Sequence, residues 1–113
     1  MEQTKTTYIK KLEDVDVFIQ ENFMAFLYIT QPTCNVCKSL FPKVETMLES
    51  YPQVALARIE MEGMPALAGK LSIFTVPVLL FFIDGKEIIR KARHVSLDEL
   101  EEQISKYYEL AAN

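Results

Sequence analysis

Histidine and cysteine are scarce in this chain, with one histidine and two cysteines among 113 residues. A structural zinc site takes four Cys or His ligands, so a single copy falls short of a mononuclear one. Basic residues are also in deficit. Twelve Lys and Arg stand against sixteen Asp and Glu, a formal net charge of −4. Phosphate binding needs a basic surface, so this balance argues against nucleic acid as the main partner. Aromatic residues lie inside apolar runs rather than among lysines and arginines. Long hydrophobic runs are missing as well. The longest, Phe23 to Ile29, is far too short to cross a bilayer. Met1 to Gln20 is charged throughout and lacks the apolar stretch of a secretory signal. No Gly/Ser linker, low-complexity stretch or repeat divides the chain. The expectation is one domain over residues 1–113 with a real core, cytoplasmic and monomeric, with no membrane and no nucleic acid among its partners.

The two cysteines stand three apart, in Cys34-Asn35-Val36-Cys37. Of roughly 6,300 possible cysteine pairs only about 110, or about 2%, have this spacing. From Cys37 onward Leu40, Phe41, Val44, Met47, Leu48 and Tyr51 keep a 3.6-residue period, so the motif opens an amphipathic helix. A C-x-x-C in that position brings two sulfurs within reach of a disulfide. The helix N-terminus offers unpaired N–H groups and a positive dipole end, which stabilise a thiolate at the first cysteine. The second, one turn inside, is set to resolve a mixed disulfide formed by the first. In a reducing compartment such a lone pair is more often catalytic or metal-binding than structural. An inert disulfide, or two chains pooling four thiolates around zinc or an iron–sulfur cluster, are the competing readings.

The remaining elements alternate. Leu12, Val15, Phe18 and Ile19 predict a helix near 12–22, and the apolar run 23–29 suits a strand buried on both faces. Pro42 should kink the helix behind the cysteines. Residues 54–61 predict a strand, and a short helix near 65–71 begins at Pro65. Pro77 precedes a second buried strand, 78–83. Asp84-Gly85 signals a hairpin, and 86–93 returns as a charged edge strand. Ser96 and Glu99 form a capping box for a last helix whose Leu97, Leu100, Ile104 and Tyr107 face inward. This order predicts an α/β fold, a mixed sheet of four to five strands flanked by four helices.

With these elements in place, the chain resembles the thioredoxin family over nearly its whole length. The resemblance rests on the C-x-x-C after a buried strand, Lys38 behind it, Pro42, and Val76-Pro77 before a strand that ends in Asp84-Gly85. It implies a thiol–disulfide oxidoreductase that reduces protein disulfides, with Cys34 the exposed nucleophile and Cys37 the buried resolving thiol. Pro77 is then a cis proline beside them, and Val76 pairs with an incoming extended peptide. The partners implied are disulfide-containing proteins and a reductase or small thiol as electron donor; no cofactor is needed.

The departures from the family concern the same site. Typical members have tryptophan before the first cysteine and Gly-Pro between the two; here Thr33 precedes Cys34, Asn35-Val36 intervene, and the chain contains no tryptophan. The family's buried aspartate, six residues before the first cysteine, falls at Tyr28. A phenol with a pKa near 10 cannot take a proton from the resolving thiol at pH 7, which leaves Glu60 or bulk water. A groove-lining glycine falls at Arg93, beside His94, where a cation would narrow the groove or select acidic partners. Where Arg58 falls the family often has lysine, and Arg58 and Glu60 read either as a surface pair or as electrostatic tuning of the dithiol. The expected substrate-binding set is therefore Thr33, Val76, Pro77 and Arg93, and the tuning set Tyr28, Arg58 and Lys38. A fold that keeps the groove but serves as a binding or adaptor domain is the alternative function.

Overall fold

Strand β2 (Met24–Thr30) is the spine of the molecule, with all seven residues buried. The computed structural model describes residues 6–112. Around β2 lie β1 (Thr6–Ile9), β3 (Val54–Glu60), β4 (Val78–Ile83) and β5 (Lys86–Ala92), in the sheet order β1-β3-β2-β4-β5. The β1–β3 and β3–β2 pairings are parallel; β2–β4 and β4–β5 are antiparallel. Helices α1 (Leu12–Glu21), α2 (Asn35–Leu48), α3 (Ala66–Leu71) and α4 (Leu97–Ala112) complete the fold, with a 3-10 turn at Met61–Gly63.

The apolar run is continuous because the sheet has a core on each side. Successive strand side chains point to opposite faces. Ala25, Leu27 and Ile29 join Val15, Phe18 and Ile19 of α1 and Leu67 of α3 in one cluster. Met24, Phe26 and Tyr28 join Phe41, Val44 and Leu48 of α2 and Leu100 and Ile104 of α4 in the other. Phe26 and Phe81 are fully buried with ring centroids 6.3 Å apart. At the β4–β5 turn Asp84 and Gly85 both have positive φ, 53° and 79°. That is the type I′ geometry whose twist suits a two-residue hairpin, and Asp-Gly adopts it readily.

Four expectations need correction. Strand β1 was not expected: of its four residues only Ile9 is buried, so it carries no apolar signature and is held by parallel pairing to β3. Phe23 lies outside β2 and is half exposed, although its carbonyl accepts the Asp84 N–H at 2.8 Å. Tyr107 faces solvent. The inward stripe continues from Ile104 by four residues to Tyr108, since a step of four departs less from the 100° helical repeat than a step of three. Tyr108 meets the Tyr51 ring edge-on, with centroids 5.1 Å apart. Finally, only half of the capping box forms. Ser96 Oγ accepts the Glu99 N–H at 3.3 Å, but the Glu99 carboxylate takes Lys91 at 3.0 Å instead of turning back.

Candidate active site

One end of the sheet gathers the segments singled out by sequence. Register pairs Thr30 with Glu60, Ile29 with Val78, and Val78 with Ala92. The chain leaving β2 toward the cysteines, the chain entering β4 at Pro77 and the chain leaving β5 at Arg93 therefore meet there. The Arg93 N–H donates to the Pro77 carbonyl at 3.3 Å, and Val76-Pro77 is cis. This geometry brings Cys34, Cys37, Val76, Pro77 and Arg93 to the same end.

Cys34 and Cys37 are joined as a disulfide with Cα atoms 5.3 Å apart. Cys34 is the N-cap of α2, with extended backbone, and its Sγ accepts the Cys37 N–H at 3.1 Å. The Lys38 N–H donates to the Cys34 carbonyl at 3.2 Å. Cys34 is partly exposed, whereas Cys37 is fully buried. A sulfur at the N-cap that already receives one backbone N–H is where a thiolate gains most from the helix end. Thr33, Val36 and Lys38 are exposed around it, Pro77 is buried, and Val76 is half-buried against the core. Pro42 lies inside α2, at an exposed position.

Beneath the motif, Tyr28 is fully buried and its hydroxyl donates to the Cys37 carbonyl at 2.6 Å. Burial pushes its pKa up from 10.0 to about 12, partly opposed by the nearby Arg58 guanidinium. A phenol that holds its proton so firmly, and has already committed it to a carbonyl, is no base for the Cys37 thiol. Tyr28 also packs on Phe41 with ring centroids 5.0 Å apart. On that same Phe41 ring lies Arg58, its guanidinium carbon 4.6 Å from the centroid. Arg58 is half-buried, and among the described residues no carboxylate lies within ion-pair reach of it. Glu60 is exposed and lines, with Tyr8, Lys10, Arg58 and Met64, a cavity of about 230 Å³ at the β1–β3 side. Among the described residues no three His, Cys, Asp or Glu converge as a metal site, and His94 is exposed.

The thioredoxin family model matches residues 3–106 of this sequence. The chain belongs to the thioredoxin family. It is similar to thioredoxin-like protein YdfQ of Bacillus subtilis (strain 168), 38% identical over 104 residues that cover 92% of this chain and 93% of that protein. It is also similar to thioredoxin of Chlamydia trachomatis, at 30% identity, with 82% of this chain and 98% of that protein covered. A solved mutant thioredoxin from Halobacterium salinarum superimposes with a TM-score of 0.83 at 25% identity, over 96% of this chain and 95% of its own. Family membership together with the Cys34–Cys37 disulfide makes the chain a thiol–disulfide oxidoreductase. No described helix is long and apolar enough to cross a membrane.

Two features of this thioredoxin-family site escaped the sequence reading. Phe74, three residues before Pro77, is 92% exposed; the only hint was an aromatic residue outside any predicted element. Arg93 has φ 65°, the left-handed region that favours glycine. The position has a backbone that glycine adopts readily, while presenting an arginine side chain.

Proposed function

We propose that the chain, read as a single domain acting in the cytoplasm, reduces protein disulfides through a mixed-disulfide cycle. The carrying observation is the asymmetry of the two sulfurs: Cys34 is reachable and capped by a helix N–H at 3.1 Å, while Cys37 is buried one turn in. In the cycle the Cys34 thiolate attacks one sulfur of the substrate disulfide, and the other sulfur leaves as a thiolate. Cys37 then loses its proton and attacks the Cys34 sulfur. That step closes the Cys34–Cys37 bond and releases the second substrate thiolate, so two electrons pass to the substrate. Thr33, Val76, Pro77 and Arg93 border the groove that holds the substrate chain. Lys38, Arg58 and Tyr28 tune the dithiol. Two electrons from a reductase or a small thiol restore it.

Tyr28 favours a second reading. With no buried base below Cys37 among the described residues, resolution slows, and a fold that resolves slowly serves as a binding or adaptor domain. The test is the midpoint potential of the Cys34/Cys37 couple in defined thiol–disulfide buffers, read by alkylation of free thiols. A reversible two-electron transition near about −270 mV is expected of a reductant, and one at about −180 to −120 mV indicates isomerase or oxidant work. No reversible transition supports the adaptor.

A further inference from the structure

The charges of this acidic protein are unevenly divided around the dithiol. Between Glu21 and Glu45, a stretch that holds β2, the motif and the first turns of α2, there is no Asp or Glu. The same holds between Glu62 and Asp84, which spans α3, Phe74, Pro77 and β4, and between Glu87 and Asp98, which spans Arg93. Lys38 and Arg93 are exposed at the dithiol end. Among the described residues neither side chain makes an ion pair or hydrogen bond. Elsewhere on the chain, Lys70 is engaged by Asp16 and Lys91 by Glu99. Glu60 and Glu62 lie at the β3 side, across β2 from Pro77 and Arg93. Glu99, at the start of α4, is taken by Lys91.

The same end carries apolar surface. Phe74 is the most exposed large apolar side chain among the described residues, at 92%, and Val36, between the cysteines, is 61% exposed. The two stand on the two segments that frame Cys34. A phenylalanine left in water on the segment leading to Val76-Pro77 contributes nothing to the core, whereas an apolar partner that covers it removes most of its surface from water.

We infer that the substrate segment taken up here is extended, acidic and apolar: its reacting cysteine is flanked by Asp or Glu that meet Arg93 and Lys38, and by a large apolar residue that covers Phe74. This selection rests on the disulfide-reducing reading above and adds the class of substrate to it. The chain's net charge of −4 repels an acidic segment at long range. The preference is therefore local, acting within a Debye length of the two cations, and salt erases it.

The test uses protein reduced with dithiothreitol, which is then removed. The probes are three seven-residue peptides, each with a central cysteine activated as its mixed disulfide with 5-thio-2-nitrobenzoate. One carries Asp and Leu around the cysteine, one Lys and Leu, one Asp and Ser. Cys34 attacks the peptide sulfur and the coloured thiolate leaves; Cys37 then releases the peptide thiol. At low salt the Asp/Leu peptide should react about 10-fold faster than the Lys/Leu peptide, and at high salt the gap should close to below about 2-fold. The double variant Lys38→Gln, Arg93→Gly should close it at low salt. Phe74→Ser should abolish the advantage of Leu over Ser. Glycine suits the left-handed backbone at Arg93, so folding does not confound that variant. Equal or reversed rates for the Asp/Leu and Lys/Leu peptides, or a gap that survives the double variant, overturn the inference. Bis(2-hydroxyethyl) disulfide separates the two levels. If it is reduced while the peptides are not distinguished, only the selectivity falls; if neither it nor any peptide reacts, the disulfide-reducing reading falls with it.

Discussion

Replacing Tyr28 with phenylalanine removes one oxygen from a fully buried ring and leaves its packing on Phe41 intact. Two separable effects follow. At neutral pH the hydroxyl's 2.6 Å bond to the Cys37 carbonyl is lost. That carbonyl belongs to α2 and keeps its place in the helical ladder, so it is not left bare. The cost should be that of an ordinary buried hydrogen bond, about 1 kcal/mol, or about 3–5 °C in Tm for a chain of this size. At alkaline pH the sign reverses. Tyr28 titrates near 10 when unfolded but at about 12 in place. Between those values the native state binds the proton more firmly than the unfolded state, so stability falls as pH rises. The stabilisation is fully present below pH 10 and is lost on passing through about pH 12. With about 1.4 kcal/mol per unit, the wild type loses about 3 kcal/mol over that interval through this residue alone. Tyr28→Phe has no such group, so its stability should fall that much less steeply and overtake the wild type. Urea unfolding of the oxidised proteins at pH 7, 9, 10, 11 and 12, followed by circular dichroism, measures both. Lysines and exposed tyrosines titrate in both proteins and cancel in the difference. Parallel stability curves above pH 10 would refute the assignment of a firmly held phenol proton, and equal stability at pH 7 would refute the hydrogen bond.

Three further outcomes are expected. Cys37→Ser should accumulate mixed disulfides between Cys34 and protein substrates, visible on non-reducing gels and lost on adding thiol; a folded variant that traps nothing contradicts the resolving role. Tyr28→Asp places a carboxylate beneath the motif, so turnover near pH 7 should rise, though by less than the about 10²- to 10⁴-fold of a well-placed base because Arg58 lies beside it; a rate that is no faster refutes the proton-relay argument. Arg90 donates to the Leu71 and Ser72 carbonyls at 2.8 and 3.2 Å and holds Glu87 in a two-pronged pair, which keeps the Glu87 carboxyl below its usual range. That contribution is present above the unfolded carboxyl pKa and is lost as pH falls through the lowered one, so Arg90→Met should flatten the acid limb of the stability profile in calorimetry.

What could be read from sequence was what local chemistry dictates. Helix α2 announces itself by its period, the hairpin by Asp84-Gly85, and β2 and β4 by uninterrupted apolar runs. Those runs are legible because a central strand has a core on both faces. Strand β1 is illegible for the opposite reason: an edge strand with one buried residue owes its existence to β3, not to its own composition. Tyr107 and Tyr108 straddle the boundary of the inward stripe, and only the slightly smaller deviation of the four-residue step favours Tyr108. The exposure of Phe74 depends on where the segment before Pro77 leaves the sheet, which no neighbouring residue encodes.

Two of the site's departures from its family lie side by side. The parallel register of β2 and β3 pairs Tyr28 with Arg58, so the buried aspartate and the lysine of typical relatives occupy adjacent positions on one sheet. Replace the carboxylate with a phenol, and the cation loses its natural counter-charge. A lysine left there would be a strongly hydrated point charge beside an aromatic cluster. A guanidinium is more weakly hydrated and planar, and it is stabilised on a ring face, the position Arg58 takes over Phe41. Arginine at 58 thus suits the surroundings that tyrosine at 28 leaves. The coupling has a chemical result. A carboxylate below a dithiol opposes thiolate formation by its charge even as it accepts the proton, whereas a lone guanidinium favours the thiolate and accepts nothing. If the tuning reading holds, a standing positive charge takes the place of a proton relay. Tyr28→Asp alone should then gain an immediate partner in Arg58, and an aspartate held in an ion pair is a weaker base than a free one. Removing the cation as well, in Tyr28→Asp with Arg58→Met, should free that carboxylate, and turnover of the double variant near pH 7 should exceed that of Tyr28→Asp by more than the effect of Arg58→Met measured alone.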